Sequence, residues 1–284
     1  MVNGAKNVWG PQQIAGIQEW KVTVATGLIR RVAGMSEALT RLDSTDQQGG
    51  TMYPTIESSV SDILTAAWSI TDGRVVPKTE DIVMKNGGRL VDATYLYSDL
   101  AGSSKMANTL SKEATAKIIR AYINTASRIL RNFGGEIRSF DGDRVMALFI
   151  GADKETKAVR AALAINWAVF EVLRPKIMAN WSDGEKFSDI THGVGIDTGE
   201  ALIVRGGVRD NNDLISVGKA PNRAAKLSEL RGNMQLSITK DVYEAMDNEV
   251  AFMPNGNRLW HQAYNRNDSG VNEMIYRSSA YWGV

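Results

Sequence analysis

Apolar and polar positions divide the chain near residue 88. Upstream, Ile14, Ile17, Trp20 and Val24 recur at helical spacing, as do Ile63, Ala67 and Ile70. A polar, glycine-containing stretch, residues 46–51, lies between the two groups. This predicts a helical N-terminal region over 1–88, suited to packing or dimer contact. Downstream the period changes. Residues 90–98 read as a strand and 104–133 as mostly helix, with Ile118, Ile119, Tyr122, Ile123, Ala126, Ile129, Leu130 and Phe133 on one apolar face. Gly134-Gly135 stops that helix. Strands over 136–140 and 144–150 are joined through Asp141-Gly142, a pair suited to a type I′ turn. A helix over 155–173 ends at Pro175. Residues 193–196 and 201–205 read as a second hairpin around Asp197-Thr198-Gly199. A strand at 214–217, a helix at 221–230, a strand at 234–238 and a helix at 239–246 follow. The order is β-α-β-β-α-β with additions. It predicts an α+β, ferredoxin-like domain over 89–284, with helices on one face of an antiparallel sheet.

Composition narrows the chemistry. The 284 residues are 43% apolar and 23% charged, enough to bury a sizeable core. A net charge of +1 gives no basic footprint for nucleic acid. The absence of cysteine excludes disulfides, thiolate zinc sites and cysteine nucleophiles. With only His192 and His261, a histidine-rich metal site is disfavoured. No apolar run approaches the roughly 18 residues that span a bilayer. Met1–Lys6 does not lead into a signal-like core. The expectation is a cytoplasmic protein without stable membrane association.

Two aspartates carry the first chemical signal. Asp99 ends the strand at 90–98, and Asp143 follows the turn before the third core strand. In a βαββαβ sheet those strands are neighbours, so the carboxylates can meet. Magnesium takes one or two carboxylates plus substrate phosphates. Each aspartate alone is equally well explained by turn geometry; the pair in this topology favours a metal. Gly102-Ser103-Ser104 opens a helix and can offer backbone N–H groups to an anion, or serve as an ordinary serine cap. Gly218-Lys219 is followed by Ala220, which excludes a Walker P-loop. Asn222 and Lys226, four apart, share one helix face. They can orient a ribose and neutralise a phosphoryl transition state, or simply face solvent. Tyr97, Arg138, Arg144 and Arg266 are softer candidates, with packing or surface roles as the alternative.

These segments together resemble the catalytic domain of class III nucleotide cyclases. Tyr97-Ser98-Asp99-Leu100-Ala101-Gly102 is similar to the family's first metal segment, and Gly142-Asp143 to its second. Gly218-Lys219-Ala220-Pro221-Asn222-Arg223-Ala224-Ala225-Lys226 is similar to its transition-state segment. The likeness covers about residues 90–250 and keeps their order. It implies two Mg2+ or Mn2+ ions at Asp99, Leu100 and Asp143. It implies substrate contacts from Tyr97, Gly102, Ser103, Ser104, Ser139, Arg144 and Ile215, and catalytic roles for Asn222 and Lys226. It also implies a head-to-tail homodimer, because the aspartates and the Asn/Arg-type pair of this family come from opposite subunits. Two departures matter. Lys226 stands where the family usually has arginine, a point charge instead of a planar fork. Ser139 and Ile215 fall at the base-selecting positions and match neither the adenylate nor the guanylate pattern.

Residues 141–147 and 212–227 further resemble the pyrimidine cyclases of bacterial Pycsar antiphage systems. That likeness implies conversion of UTP to cyclic UMP, a signal read by a separate effector. Cyclisation of CTP, a silent cyclase-like regulatory domain, and an oligonucleotide-synthesising palm domain stay as alternatives. The last is disfavoured by the Asn222/Lys226 helix.

Overall fold

The computed structural model describes residues 54–181, 190–266 and 272–283. The chain separates into two compact units, Met1–Ala66 and Ala67–Val284. In the first, α1 (Ile56–Thr65) is capped by Thr55, whose side chain accepts from the Ser58 amide at 3.1 Å. Ile14, Ile17, Trp20 and Val24 lie outside the described residues.

The second unit begins before the strand expected at 90. The helical spacing does not continue to Ile70: Ser69–Gly73 is a strand, β1, running parallel to the start of β2 (Gly87–Ala101). After β2 the chain forms two helices, α2 (Ser103–Thr109) and α3 (Lys112–Asn132). The break falls where Ser111 caps α3, its hydroxyl accepting from the Ala114 amide. Gly134 takes φ +82° and ends α3 as expected. Then come β3 (Glu136–Asp141), β4 (Arg144–Phe149) and α4 (Lys154–Trp167). The helix does not stop at Pro175. A π-turn over Ala168–Leu173 carries it into α5 (Arg174–Asn180), with Pro175 in the first turn, where its missing N–H is tolerated.

The second hairpin expected from the sequence is also absent. β5 (Thr191–Val208) is one strand, paired without interruption to β2 from Thr191 to Val204. The Asp-Thr-Gly triplet sits inside it. Asp197 is buried there, accepting from the Thr239 hydroxyl at 2.6 Å and from the Thr198 amide at 2.9 Å. β6 (Asn211–Val217), α6 (Lys219–Ser228), β7 (Leu236–Thr239), α7 (Lys240–Ala245), α8 (Asn248–Ala251), β8 (His261–Arg266) and β9 (Asn272–Ser278) complete the unit.

Among the described residues the strands run β3-β4-β2-β5-β7-β9-β8, with β1 on β2 and β6 on β5. The first four, all antiparallel, are the ferredoxin-like core. Period-two alternation sorts its faces. Leu96, Val145, Ala147, Phe149, Val194 and Ile196 pack on α3 and α4. Tyr95, Met146, Leu148, Ala201 and Ile203 pack on Ala220 and Ala224 of α6. The helices therefore cover both faces, not one.

Glycine makes the second layer possible. A Cβ at Gly195 would lie 2.1 Å from the Ala224 carbonyl oxygen and 2.3 Å from the Ser228 nitrogen. One at Gly193 would lie 2.2 Å from the Ser228 carbonyl oxygen. The backbone of α6 rests directly on β5. Gly195→Val is expected to lower unfolding stability by about 2–4 kcal/mol in urea titration; an unchanged midpoint would contradict this packing.

Candidate active site

Asp99 sits near the end of β2, paired with Arg144 of β4 and Gly193 of β5. It shares the α6-side face with Tyr95 and Tyr97. It is only 7% exposed, and two arginines answer its charge. Arg144 Nε lies 3.4 Å from Oδ1 and Arg231 Nη2 lies 2.5 Å from Oδ2. Arg144 also donates to Glu229 Oε1 at 2.8 Å. Burial works against the Arg144 charge, but Glu229 and Asp99 hold its pKa above the ordinary value.

Asp143 lies in the β3–β4 turn. Asp141 pairs with Arg144, so the two-residue loop is Gly142-Asp143, one position later than the sequence suggested. Only its first residue, Gly142, has positive φ, at +59°, so the turn is not type I′. Asp143 Oδ2 is buried and has no hydrogen-bond partner in the structure. The charges of both carboxylates reach the Tyr122 phenol. Burial raises the Tyr122 pKa, the Ser98 hydroxyl at 2.6 Å partly offsets it, and the charges of Asp99 and Asp143 push it further up.

A buried carboxylate oxygen without a donor is costly unless a cation meets it. Asp143 Oδ2 therefore fits a hard divalent ion, with Asp99 on the neighbouring strand, paired to Arg144, the next residue. The Leu100 side chain is buried among Met106, Ile118 and Tyr122, leaving only its carbonyl as a possible ligand. Among the described residues no group of three or more His, Asp or Glu side chains could hold a metal alone. Water or phosphate oxygens would have to complete the shell.

On the phosphate side, Gly102 is the cap of α2, at φ +78°, and no side chain caps it. Ser103 and Ser104 are the first helical residues, not caps. The first intrahelical bond runs from the Met106 amide to Gly102 oxygen, so the amides of 103–105 have no helical partner.

For the base, Ser139, Met146, Tyr97 and Gly195 form one cross-strand row. Ser139 is half-buried after a bulge at Arg138. Burial, Tyr95 and Arg144 act on Tyr97, and the net effect is a pKa pushed up to about 12. Ile215 does not join this row. It pairs with Val204 and points to the opposite, exposed face of β6. Its neighbour Ser216 instead approaches the buried Tyr95 phenol.

Asn222 and Lys226 both stand on the exposed face of α6. The end of α6 that approaches Asp99 is Ser228, over Gly193. Asn222 is six residues back, about 9 Å along the axis. Arg223 fixes the helix rotation, reaching Asp197 and Asp241 at 3.5 Å each and Glu273 at 3.2 Å. Arg266 ends β8, four strands from β2. Arg231 and Glu229 were not singled out by the sequence, and Tyr122 only as a member of the apolar face of α3. None lies in a recognisable motif, and they reach the aspartates only through the docking of α6 on β5 and of α3 on β2.

No family model matches the chain. Its fold is similar to the adenylyl cyclase CyaB from P. aeruginosa (TM-score 0.56, 22% identity, 67% of this chain and 94% of that one). It is also similar to the guanylyl cyclase Cya2 (TM-score 0.57, 22% identity, 69% and 95%). The fold is thus that of the class III adenylyl and guanylyl cyclases. The sequence is 40% identical over 230 residues to a uridylate cyclase of Rhodovulum sp. (strain MB263), covering 80% of this chain and 95% of that protein. It is 37% identical over 227 residues to a uridylate cyclase of Burkholderia cepacia, covering 79% and 96%. The chain belongs to the uridylate cyclase family and is a nucleotide cyclase.

One buried group beside the site gives a pH signature. His192, opposite Leu100, is 2% exposed, and neither ring nitrogen has a partner in the structure. Burial, with Arg174 and Arg231 nearby, lowers its pKa from 6.5 to about 3. The unfolded chain therefore binds a proton that the folded one refuses. Stability contributed by neutral His192 is present above pH 6.5 and lost as pH falls towards 3, by about 1.4 kcal/mol per unit. His192→Phe should flatten the slope of unfolding free energy between pH 4 and 6; an unchanged slope would refute it.

Proposed function

We propose that this cyclase converts UTP to 3′,5′-cyclic UMP and pyrophosphate. The ribose 3′-oxygen attacks the α-phosphorus in line and the pyrophosphate leaves. The observation that carries the reading is the buried, partnerless Oδ2 of Asp143, one residue before Arg144, the strand partner of Asp99, in a chain whose relatives are named uridylate cyclases.

Asp99, Asp143 and the Leu100 carbonyl would hold Mg2+ or Mn2+, which when bound acidifies the attacking hydroxyl and neutralises phosphate charge. The chain's own groups do the rest. The amides of Ser103 and Ser104, behind the Gly102 cap, receive phosphate oxygens. Arg144 keeps Asp99 oriented and adds positive charge near the triphosphate. Tyr97 and Ser139 form the floor on which the pyrimidine lies. Asn222 orients the ribose, and Lys226 offsets charge growing on the α-phosphate.

Asn222 and Lys226 act, in this reading, on the substrate held by a second copy. Their exposure and their distance along α6 from Asp99 support a head-to-tail dimer with two shared sites. The exposed faces of Val208, Ile215 and Val217, at 63%, 51% and 55%, offer an apolar arm for it, which would give Ile215 a place at the partner's site. Among the described residues no helix is long and apolar enough to cross a membrane. We assign the enzyme to the cytoplasm, with cyclic UMP serving as an antiphage signal to a separate effector.

Incubation with ATP, GTP, CTP and UTP plus manganese, with products resolved by mass, should yield cyclic UMP alone. Cyclic CMP as the sole product would overturn the base assignment and keep the chemistry. Mixing Asp143→Ala with Lys226→Ala chains should restore about a quarter of wild-type activity, since half of random dimers are mixed and each regains one site. No recovery would refute sharing.

A further inference from the structure

We propose that Arg231 is a substrate-binding residue that leaves Asp99 for the nucleotide's triphosphate when a divalent cation takes Asp99. This rests on the metal site argued above. The two arginines on Asp99 are unlike. Arg144 is the less exposed, holds Oδ1 from the neighbouring strand, and is tied to Glu229 as well. Arg231 reaches Oδ2 from the loop after α6, and its side chain is 41% exposed against 10% for that of Asp99. The guanidinium sits at the mouth of the site and the carboxylate inside.

The fold makes room for that arm and anchors its base. A Cβ at Gly193 would lie 2.7 Å from Arg231 Nη1, so the glycine opposite Asp99 leaves the guanidinium its present path. Arg277 grips the loop, donating to the Arg231 carbonyl at 3.4 Å from both terminal nitrogens, to the Met234 carbonyl, and to Ser237 Oγ at 3.1 Å. The main chain is held, while the half-exposed guanidinium, besides its Nη2 contact with Asp99, donates from Nη1 to the Ser228 carbonyl at 2.6 Å, a bond that the exchange also breaks.

A cation binding Asp99 Oδ2 occupies the electron pair that Arg231 uses. It also places like charges side by side, which is repulsive at such distances. Arg144 keeps the carboxylate oriented through Oδ1, so release of Arg231 does not free Asp99. The arginine then faces the anion that arrives with the metal. A triphosphate offers bidentate acceptors that suit a guanidinium fork. In the absence of metal the same contact neutralises Asp99 and competes with cation binding.

The competition predicts opposite signs for one substitution. In Arg231→Ala, Mn2+ binding without nucleotide, read by loss of the free-ion EPR signal, should tighten about three- to tenfold. Affinity for 3′-deoxy-UTP with Mn2+, which cannot cyclise, should weaken about tenfold by calorimetry. Arg231→Lys should recover part of the nucleotide affinity. A parallel loss of both affinities with a lowered Tm would make Arg231 a structural staple and overturn the proposal, as would no change in either. Asp99→Ala separates the two readings. Mn2+ binding that survives it would refute the metal site itself. Mn2+ binding lost in Asp99→Ala, with no tightening in Arg231→Ala, would refute only the exchange.

Discussion

The contact on which the rest depends is the seating of α6 on β5 at Gly193 and Gly195. Side chains at those positions would collide with main-chain atoms at little over 2 Å, so the helix would have to lift. Its close approach fixes three things. Ala220 and Ala224 close the second core layer. Asn222 and Lys226 turn outward. The loop after Ser228 drops onto Asp99 and delivers Arg231. Arg223, bonded to Asp197, Asp241 and Glu273, sets the rotation about the axis. Small residues on one strand thus decide where α6 points.

The electrostatics of the two aspartates are unequal. Asp99 is met by two guanidinium groups, while Asp143 has a buried oxygen that nothing in the structure meets. An unmatched buried acceptor is a defect in a purely structural protein. In the metal site proposed above it is the position that a cation would take. The apolar wall around Leu100, Tyr122 and His192 lowers the local dielectric and strengthens every charge–charge interaction at this end of the sheet.

Much of this was legible in the sequence, for identifiable reasons. The apolar face of α3, the glycine stop at 134 and the βαββαβ order follow from period and turn chemistry. The parity that puts Tyr97 and Asp99 on one face follows from strand alternation. What failed was local grammar overruled by pairing. Asp197-Thr198-Gly199 has turn composition, yet unbroken register with β2 and bonds from Thr239 hold it inside a strand. Ile70 fits a helical period but lies beside β2 as an edge strand. Pro175 sits in a continuing helix because the π-turn had already shifted the hydrogen bonds. At the site, Arg231 was invisible because it lies 132 positions from Asp99 and outside any motif. Ile215 was placed by spacing alone, and spacing says nothing of which face of β6 it takes.

The separation of Asn222 and Lys226 from Asp99 along α6 has a consequence for dosage. In the shared-site dimer proposed above, the active centre would form in proportion to the square of protomer concentration while dimers are scarce. Output then rises more steeply than expression. A cell holding few copies would stay silent without an inhibitor, and a modest rise in copy number, or any surface that gathers chains together, would act as a switch.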